Sequence, residues 1–315
     1  MLRKSLIFCA LISIAFGCSK KKPTESSSEP PPVISNTNAN STAAPSNYFL
    51  KIRDEKVGDK SSVTETKSES TTITLNITGL KGTKSDPKKS AEKSEYIEVV
   101  HSLNPGEIFP TKFTREYKHA EYKKGDENSK PTSYSGKTVL FEKSFGHYSV
   151  LVGKNSLPVD EDQRFRESLE KLDKIKYSEM MPKTPVKLNE PWHLDPILVS
   201  RMGKVIGFPS SEGKSQASGT LTNVYTKGGK QWGVIEFKYN YVVEGTYYLD
   251  ERKQIALTVA GNIAQTWTVD IVIDGSSNEA ITKRKSNGIV EMKGKDISGT
   301  VNLDMDYAET RAPVK

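Results

Sequence analysis

Ile235, Phe237, Tyr239, Tyr241 and Val243 alternate with Glu236, Lys238 and Asn240. A period of two puts these large apolar side chains on one face of an extended strand and the polar ones on the other. The pattern returns at Ile255, Leu257 and Val259, at Trp267, Val269, Ile271 and Ile273, and at Val301, Leu303, Met305 and Tyr307 opposite Asn302, Asp304 and Asp306. Earlier, Ile73, Leu75 and Ile77 repeat it, and Phe113, Arg115, Tyr117 and His119 carry a weaker version. Turn chemistry stands between these segments at Lys227-Gly228-Gly229-Lys230, Asp250-Glu251, Asp274-Gly275, Asn287-Gly288 and Lys293-Gly294-Lys295-Asp296. Strands joined by short turns predict an antiparallel meander with one covered face and one wet face.

Two helices are expected among the strands. Asp160 and Gln163 have capping-box spacing, and Phe165, Leu169, Leu172 and Lys176 share a stripe, so residues 160–176 read as an amphipathic helix. Arg166 with Glu170 and Glu167 with Lys171 are the charge pairs of its wet face. Asp195-Pro196 opens a shorter helix ending at Gly203. Gly79 to Ser94 and Lys123 to Ser135 read as long mobile loops. Only 35% of the 315 residues are hydrophobic, against ~45–50% for an average globular chain, so thin layers are expected rather than one deep core. The predicted fold is mainly β with minor α, an antiparallel meander forming one or two curved, half-barrel-like sheets with one amphipathic helix over the apolar face.

The N-terminus supplies an address. Met1-Leu2-Arg3-Lys4 is a basic start, Ser5 to Phe16 an apolar run too short for the ~20 residues of a spanning helix, and Ala15-Phe16-Gly17-Cys18 a small-residue site ending in cysteine. This resembles the lipobox of bacterial lipoproteins, although Ala15 stands where that family more often carries Leu, Val or Ile. The resemblance implies cleavage after residue 17, lipid attachment at Cys18 and a membrane partner reached through its acyl chains. Ser19, where an aspartate would retain the protein on the inner membrane, implies outer-membrane sorting in a host with two membranes. Cys9 would leave with the signal, so no disulfide is expected in the mature chain. Removing Arg3 and Lys4 takes the formal charge from +7 to +5, and Lys20-Lys21-Lys22 lies beside the anchor. The expected organisation is a signal peptide over 1–17, a lipidated cysteine and disordered Pro/Ser/Asn tether over 18–46, a β-rich lobe ending in a helix over 47–182, and an antiparallel β lobe over 183–315. The body is broadly similar in pattern to the half-barrel periplasmic lipoprotein carriers, a likeness that transfers no site residues.

Candidate chemistry is sparse. Gly207 to Ser215 ends like a phosphate loop, but five residues separate Gly207 and Gly213 where that loop requires four, and Pro209 removes a donor. Ser135-Gly136-Lys137-Thr138 lacks the first glycine. His119 with Glu121 and His193 with Asp195 offer two ligands each where zinc requires three or four, and Asp270, Asp274 and Asn278 read as turn residues. Glu236, or Asp304 with Asp306, has the residue type of a glycosidase pair but sits on a solvated strand face. No cofactor, metal, catalytic residue or nucleic-acid partner is expected.

The expected function is therefore a non-enzymatic, lipid-anchored envelope protein that presents a β-rich binding module to an envelope protein, polymer or lipid. One alternative is a carrier holding a hydrophobic ligand against the face of Ile235, Phe237, Tyr239, Tyr241 and Trp267. The other is a hydrolase of envelope polymers. A filled interior favours the first, an apolar cavity the second, and convergent carboxylates with raised pKa in a cleft the third.

Overall fold

The computed structural model describes residues 47–77, 83–84, 88–105, 107, 109–172, 176–205, 208–209, 211, 213–248 and 255–314. The signal, Cys18 and the tether lie outside them, as do Asp250 and Glu251. Ser46–Lys315 forms one compact unit, mostly β-strand with three helices among the described residues. In chain order its elements are β1 (Lys60–Ile77), β2 (Thr83–Lys84), β3 (Lys88–Ser102), β4 (Lys112–Lys124), β5 (Lys130–Pro131), β6 (Thr138–Ser144), β7 (His147–Val152), β8 (Asn155–Ser156), α1 (Val159–Leu172), α2 (Tyr177–Met180), β9 (Pro191–His193), α3 (Pro196–Val205), β10 (Gln216–Lys227), β11 (Lys230–Tyr248), β12 (Ala256–Val272), β13 (Ala280–Lys293) and β14 (Ile297–Pro313).

All strands belong to one open antiparallel sheet ordered β8-β7-β6-β4-β3-β1-β14-β13-β12-β11-β10-β9, with β2 beside β1 and β5 beside β4. The first long strand pairs with the last, from Ser61↔Pro313 to Ile77↔Ile297. The meander therefore continues through both chain ends and is interrupted between β8 and β9, where the connection carries α1 and α2.

One face is covered in each half of the sheet, by two separate apolar clusters. In the first half, Phe165 and Leu169 of α1 pack on Phe113, Tyr117, Tyr134 and Phe141. In the second, Met180 of α2, Leu198, Val199 and Met202 of α3, and Tyr48 and Leu50 of the lead-in segment cover β10 to β14. The cover is thus shared among three helices and the lead-in segment, where one helix was expected. Burying a Phe or Leu side chain stabilises by roughly 1.5–3 kcal/mol, so this layer outweighs the weak intrinsic helicity of pieces as short as α2.

Several local expectations are corrected. His119 leaves the face of Tyr117, because a bulge pairs Tyr96 with Tyr117 and Glu95 with His119, and Ala120 enters the core in its place. Lys88 to Ser94 is strand rather than loop, and within 123–135 Lys130–Pro131 pairs with Glu121 and Tyr122 of β4 while Tyr134 is fully buried. Asp160 lies inside the first turn of α1, beside Glu161 and Asp162, rather than capping it. Arg166 pairs with Asp162 at 2.7 Å, while the side chains of Glu167, Glu170 and Lys171 lie outside the described residues.

Asn287-Gly288 is no turn. It lies within β13, where a Cβ on Gly288 would stand 2.7 Å from Ile263 Cγ1 and 2.8 Å from the Asn262 carbonyl oxygen. Close approach of β12, not chain reversal, requires the glycine. Gly288→Val is expected to cost about 1–3 kcal/mol in urea unfolding, because one of the clashing atoms is backbone and cannot rotate away.

Candidate functional site

The alternation that fills the second core also places the residues read as ligand face or core. Ile235 and Phe237 are 0% exposed, Tyr239 3% and Tyr241 1%, and Trp267 is half-buried beside them on the covered side. The Tyr239 hydroxyl reaches the Met180 sulfur at 3.3 Å, and Trp192 stands edge-on to Phe237. These residues are core.

The histidines do not assemble. His101 bonds the Thr114 hydroxyl at 2.9 Å, His119 lies 3.5 Å from Glu121, and His193 sits in β9 opposite Ser218 while Asp195 accepts from the Ile197 N–H at 2.7 Å. Among the described residues no three His, Cys, Asp or Glu side chains are grouped to hold a metal. Asp274 accepts from the N–H groups of Ser276 and Gln231, each at 2.8 Å, and Gly275 has φ +77°, a turn geometry. Asp270 accepts from the Tyr225 hydroxyl at 2.6 Å. Glu236 pairs with Lys238 at 2.7 Å. In the two phosphate-loop look-alikes, Lys214 pairs with Glu244 at 2.6 Å and Lys137 donates to the Ser133 carbonyl at 2.7 Å, while residues 207, 210 and 212 lie outside the described set.

What the sequence reading missed is an ionic cluster on the covered face at the seam of the two cores. Arg115 Nε donates to Glu98 at 2.8 Å, and Arg311 donates at 2.8 Å to both Glu98 and Glu55 and at 3.3 Å to Glu309. Tyr307 donates to Glu309 at 2.6 Å and Tyr96 to Glu65 at 3.4 Å, while the Arg115 guanidinium lies over the Tyr96 ring. The available signal was charge at core parity, since Glu98 stands between Tyr96 and Val100 and Arg115 between Phe113 and Tyr117.

Four carboxyls share two arginines, and burial decides which stay ionised. Burial raises Glu55 to about 7, with Glu98 and Glu309 adding repulsion that Arg311 only partly offsets. Burial likewise raises Glu65 to about 7, reinforced by Glu309. At Glu98 burial is outweighed by Arg311 and Arg115 together, and the carboxyl falls to about 2. Below about pH 7 Glu55 and Glu65 hold protons, while Glu98 stays ionised between the two arginines. Every carboxyl in it except Glu65 is bonded to an arginine, which is the arrangement of a structural joint.

The open face carries the accessible concavity. A groove of about 770 Å³ crosses β4, β3, β1, β14, β13 and β12. Six strands at ~4.8 Å spacing make it roughly 24 Å long. Its floor is small, with Ala91, Thr66, Ser68, Ala308, Thr266 and Ala264, and Lys93, Lys283, Lys285, Glu121 and Asp306 stand around it. Asp304 and Asp306 therefore line an open surface as neighbours of Lys89, Lys123 and Lys285. The floor exists because the outward positions of β1 are all hydroxyl-bearing from Ser62 through Thr64, Thr66, Ser68, Ser70, Thr72 and Thr74.

No protein-family model and no curated protein sequence matches the chain. Among solved structures, an outer membrane channel from Pseudomonas putida F1 aligns at 9% identity over 83% of this chain and 97% of that one, with a TM-score of 0.20. A mutant porin of Rh. blastica aligns at 9% identity over 80% of this chain and 100% of that one, with a TM-score of 0.16. Scores this low carry no argument about fold or function. Among the described residues no helix is long and apolar enough to cross a membrane.

The cluster makes stability depend on pH with a defined sign. Glu55 and Glu65 have folded values near 7, above the ordinary 4.5, so their contribution is complete below about 4.5 and is lost as pH rises through 7. Glu98, near 2 when folded, contributes above its ordinary value and loses that contribution as pH falls toward 2. The urea midpoint is expected to rise from pH 8 to pH 5 and to fall again below pH 4. Glu65→Gln should be more stable than the wild type at pH 8, by on the order of 3 kcal/mol at most, and should flatten the upper limb. Arg311→Met should cost about 3–5 kcal/mol at pH 7, because buried Glu98 keeps only Arg115 and Glu55 and Glu309 lose their arginine.

Proposed function

We propose that the chain is a non-enzymatic, lipid-anchored envelope protein, held by acyl chains on Cys18, whose β-rich body binds an envelope protein or polymer. The open-face groove is its binding surface. The observation that carries this reading is the contrast between the faces, one filled by side chains from three helices and the lead-in segment, the other open over six strands. A carrier would need the covered face vacant, and there Met180 lies on Tyr239 while Leu198, Val199 and Met202 belong to the same packed cluster as Phe237. A hydrolase would need a free acid and base in a cleft, whereas Glu55, Glu98 and Glu309 are held by arginine. In a host with two membranes, Ser19 after Cys18 favours the outer membrane over the inner.

A photo-reactive residue at Ser68 or Thr266 is expected to capture a partner in intact cells, and one at Asn240, on the same face beyond the groove, to capture none. Ser68→Trp, which fills the floor, should abolish that capture with stability changed by less than about 0.5 kcal/mol. Equal capture from Asn240, or a lipid-mass adduct on the purified chain in native mass spectrometry, would count against the reading, the latter in favour of a carrier.

A further inference from the structure

The strand register brings four chain reversals and the entry to β1 to one end of the sheet. Lys60 pairs with Val99, Ser61 with Pro313, Ser102 with Lys112 and Lys112 with Glu142. On the other side of β14, Ala280 pairs with Arg311, and Lys227 with Lys230 closes the β10–β11 turn beside Asp274. The β3–β4 connection, the β6–β7, β10–β11 and β12–β13 turns, and the lead-in residues 47–59 therefore share one rim. The opposite rim holds the β13–β14 turn at Lys295.

This rim exposes apolar side chains that its own packing does not explain. Phe145, at the tip of the β6–β7 hairpin, is 100% exposed and has φ +49°. A bulky residue in left-handed backbone is strained, and here no intramolecular contact compensates the strain. Phe49 is 62% exposed and Val57 61%, both on the lead-in segment, and Phe49 lies two residues from Lys51, whose N–H bonds the Ile273 carbonyl. Exposed Lys51, Lys56 and Lys60 stand on the lead-in and the first residue of β1, and exposed Lys227 stands at the β10–β11 turn over the Trp232 ring; none of the four forms an ion pair among the described residues. The acids of the same rim are mostly engaged. Asp59 pairs with Arg53, Glu142 with Lys112, and Asp274 with two backbone N–H groups, leaving Asp54 exposed.

We propose that this rim is a bilayer-facing surface, with Phe145 inserted at the headgroup boundary and the four lysines over anionic lipid. The inference rests on the lipid anchor at Cys18. The chain enters the body through residues 47–59, so an anchor upstream draws this rim, not the one at Lys295, toward the membrane. Exposed apolar side chains and lysines without ion pairs on one rim match the chemistry of an anionic bilayer surface, where buried apolar area and lysine attraction act together. A single aromatic wedge is too weak to hold a free protein. On a chain already anchored the second contact is intramolecular, and it orients the body. The rim runs perpendicular to the strands, so docking it stands the long strands upright and holds the open-face groove clear of the lipid.

The test uses the full acylated chain in phosphatidylcholine vesicles with and without phosphatidylglycerol. Cys9 leaves with the signal and Cys18 carries lipid, so Phe145→Cys and, separately, Lys295→Cys each provide one thiol for a nitroxide. With anionic lipid, the label at 145 is expected to show a several-fold higher ratio of oxygen to nickel-chelate collision than the label at 295. Replacing Lys51, Lys56 and Lys60 by glutamate should lower that ratio toward the value at 295. Equal, water-like ratios on a chain whose intact mass shows acylation at Cys18 would overturn the inference and leave the anchor standing. Absence of the acyl mass would overturn the anchor and this inference with it.

Discussion

The antiparallel pairing of β1 with β14 is the joint on which the rest of the structure depends. It runs from Ser61↔Pro313 to Ile77↔Ile297 and turns two meanders into one sheet. Without it each half would present a long unpaired edge, which is an invitation to pair with other chains. Its strands come from opposite ends of the described body, so the loop entropy of closing it is among the largest in the fold. The ionic cluster sits at this joint. Arg311 and Glu309 come from β14, Glu65 from β1, Glu98 from β3 and Arg115 from β4. A slip of one residue would turn every one of these side chains to the opposite face. The cluster thereby ties the register of four strands, although replacing such a network by apolar side chains is often neutral for stability itself.

The two faces follow from what β1 can contribute. Its inward positions change character along the strand, from Val63 in the first core through Glu65, Lys67 and Glu69 to Ile73 against the second. Its outward positions stay small and hydroxylated throughout. The inward change separates two apolar cores on one sheet, and the outward constancy leaves a low floor between taller lysines. The seam and the groove are thus the two sides of the same central strands.

The alternating segments were legible, because side-chain period in a strand is a local property. Ile235 to Val243 and Val301 to Tyr307 read as they stand. His119 did not, since a bulge is set by the partner strand β3 and not by residues 113–120. Asn287-Gly288 has the composition of a hairpin turn, yet the crossing of β12 at Asn262 and Ile263 is what requires its glycine. Lys123 to Ser135 has a loop's composition, and only packing on Tyr117 and Phe165 reveals Tyr134 as core. Core-parity charges at Glu98, Arg115 and Arg311 were visible as anomalies. Their assembly was not, because they are brought together across sequence separations of 17 and 213 residues.

By itself the sequence determined the fold class, the buried face of each regular strand and the presence of a covering amphipathic helix, all properties written within a few residues by period two or by a helical stripe. Tertiary structure alone decided that the halves share one sheet, that the Tyr239 face is filled, that two glutamates take up protons near neutrality, and that Phe49, Val57 and Phe145 share a rim. Each of these depends on which strands become neighbours. Neighbours are chosen by closing the whole chain, a global balance of burial against loop entropy that no local pattern records.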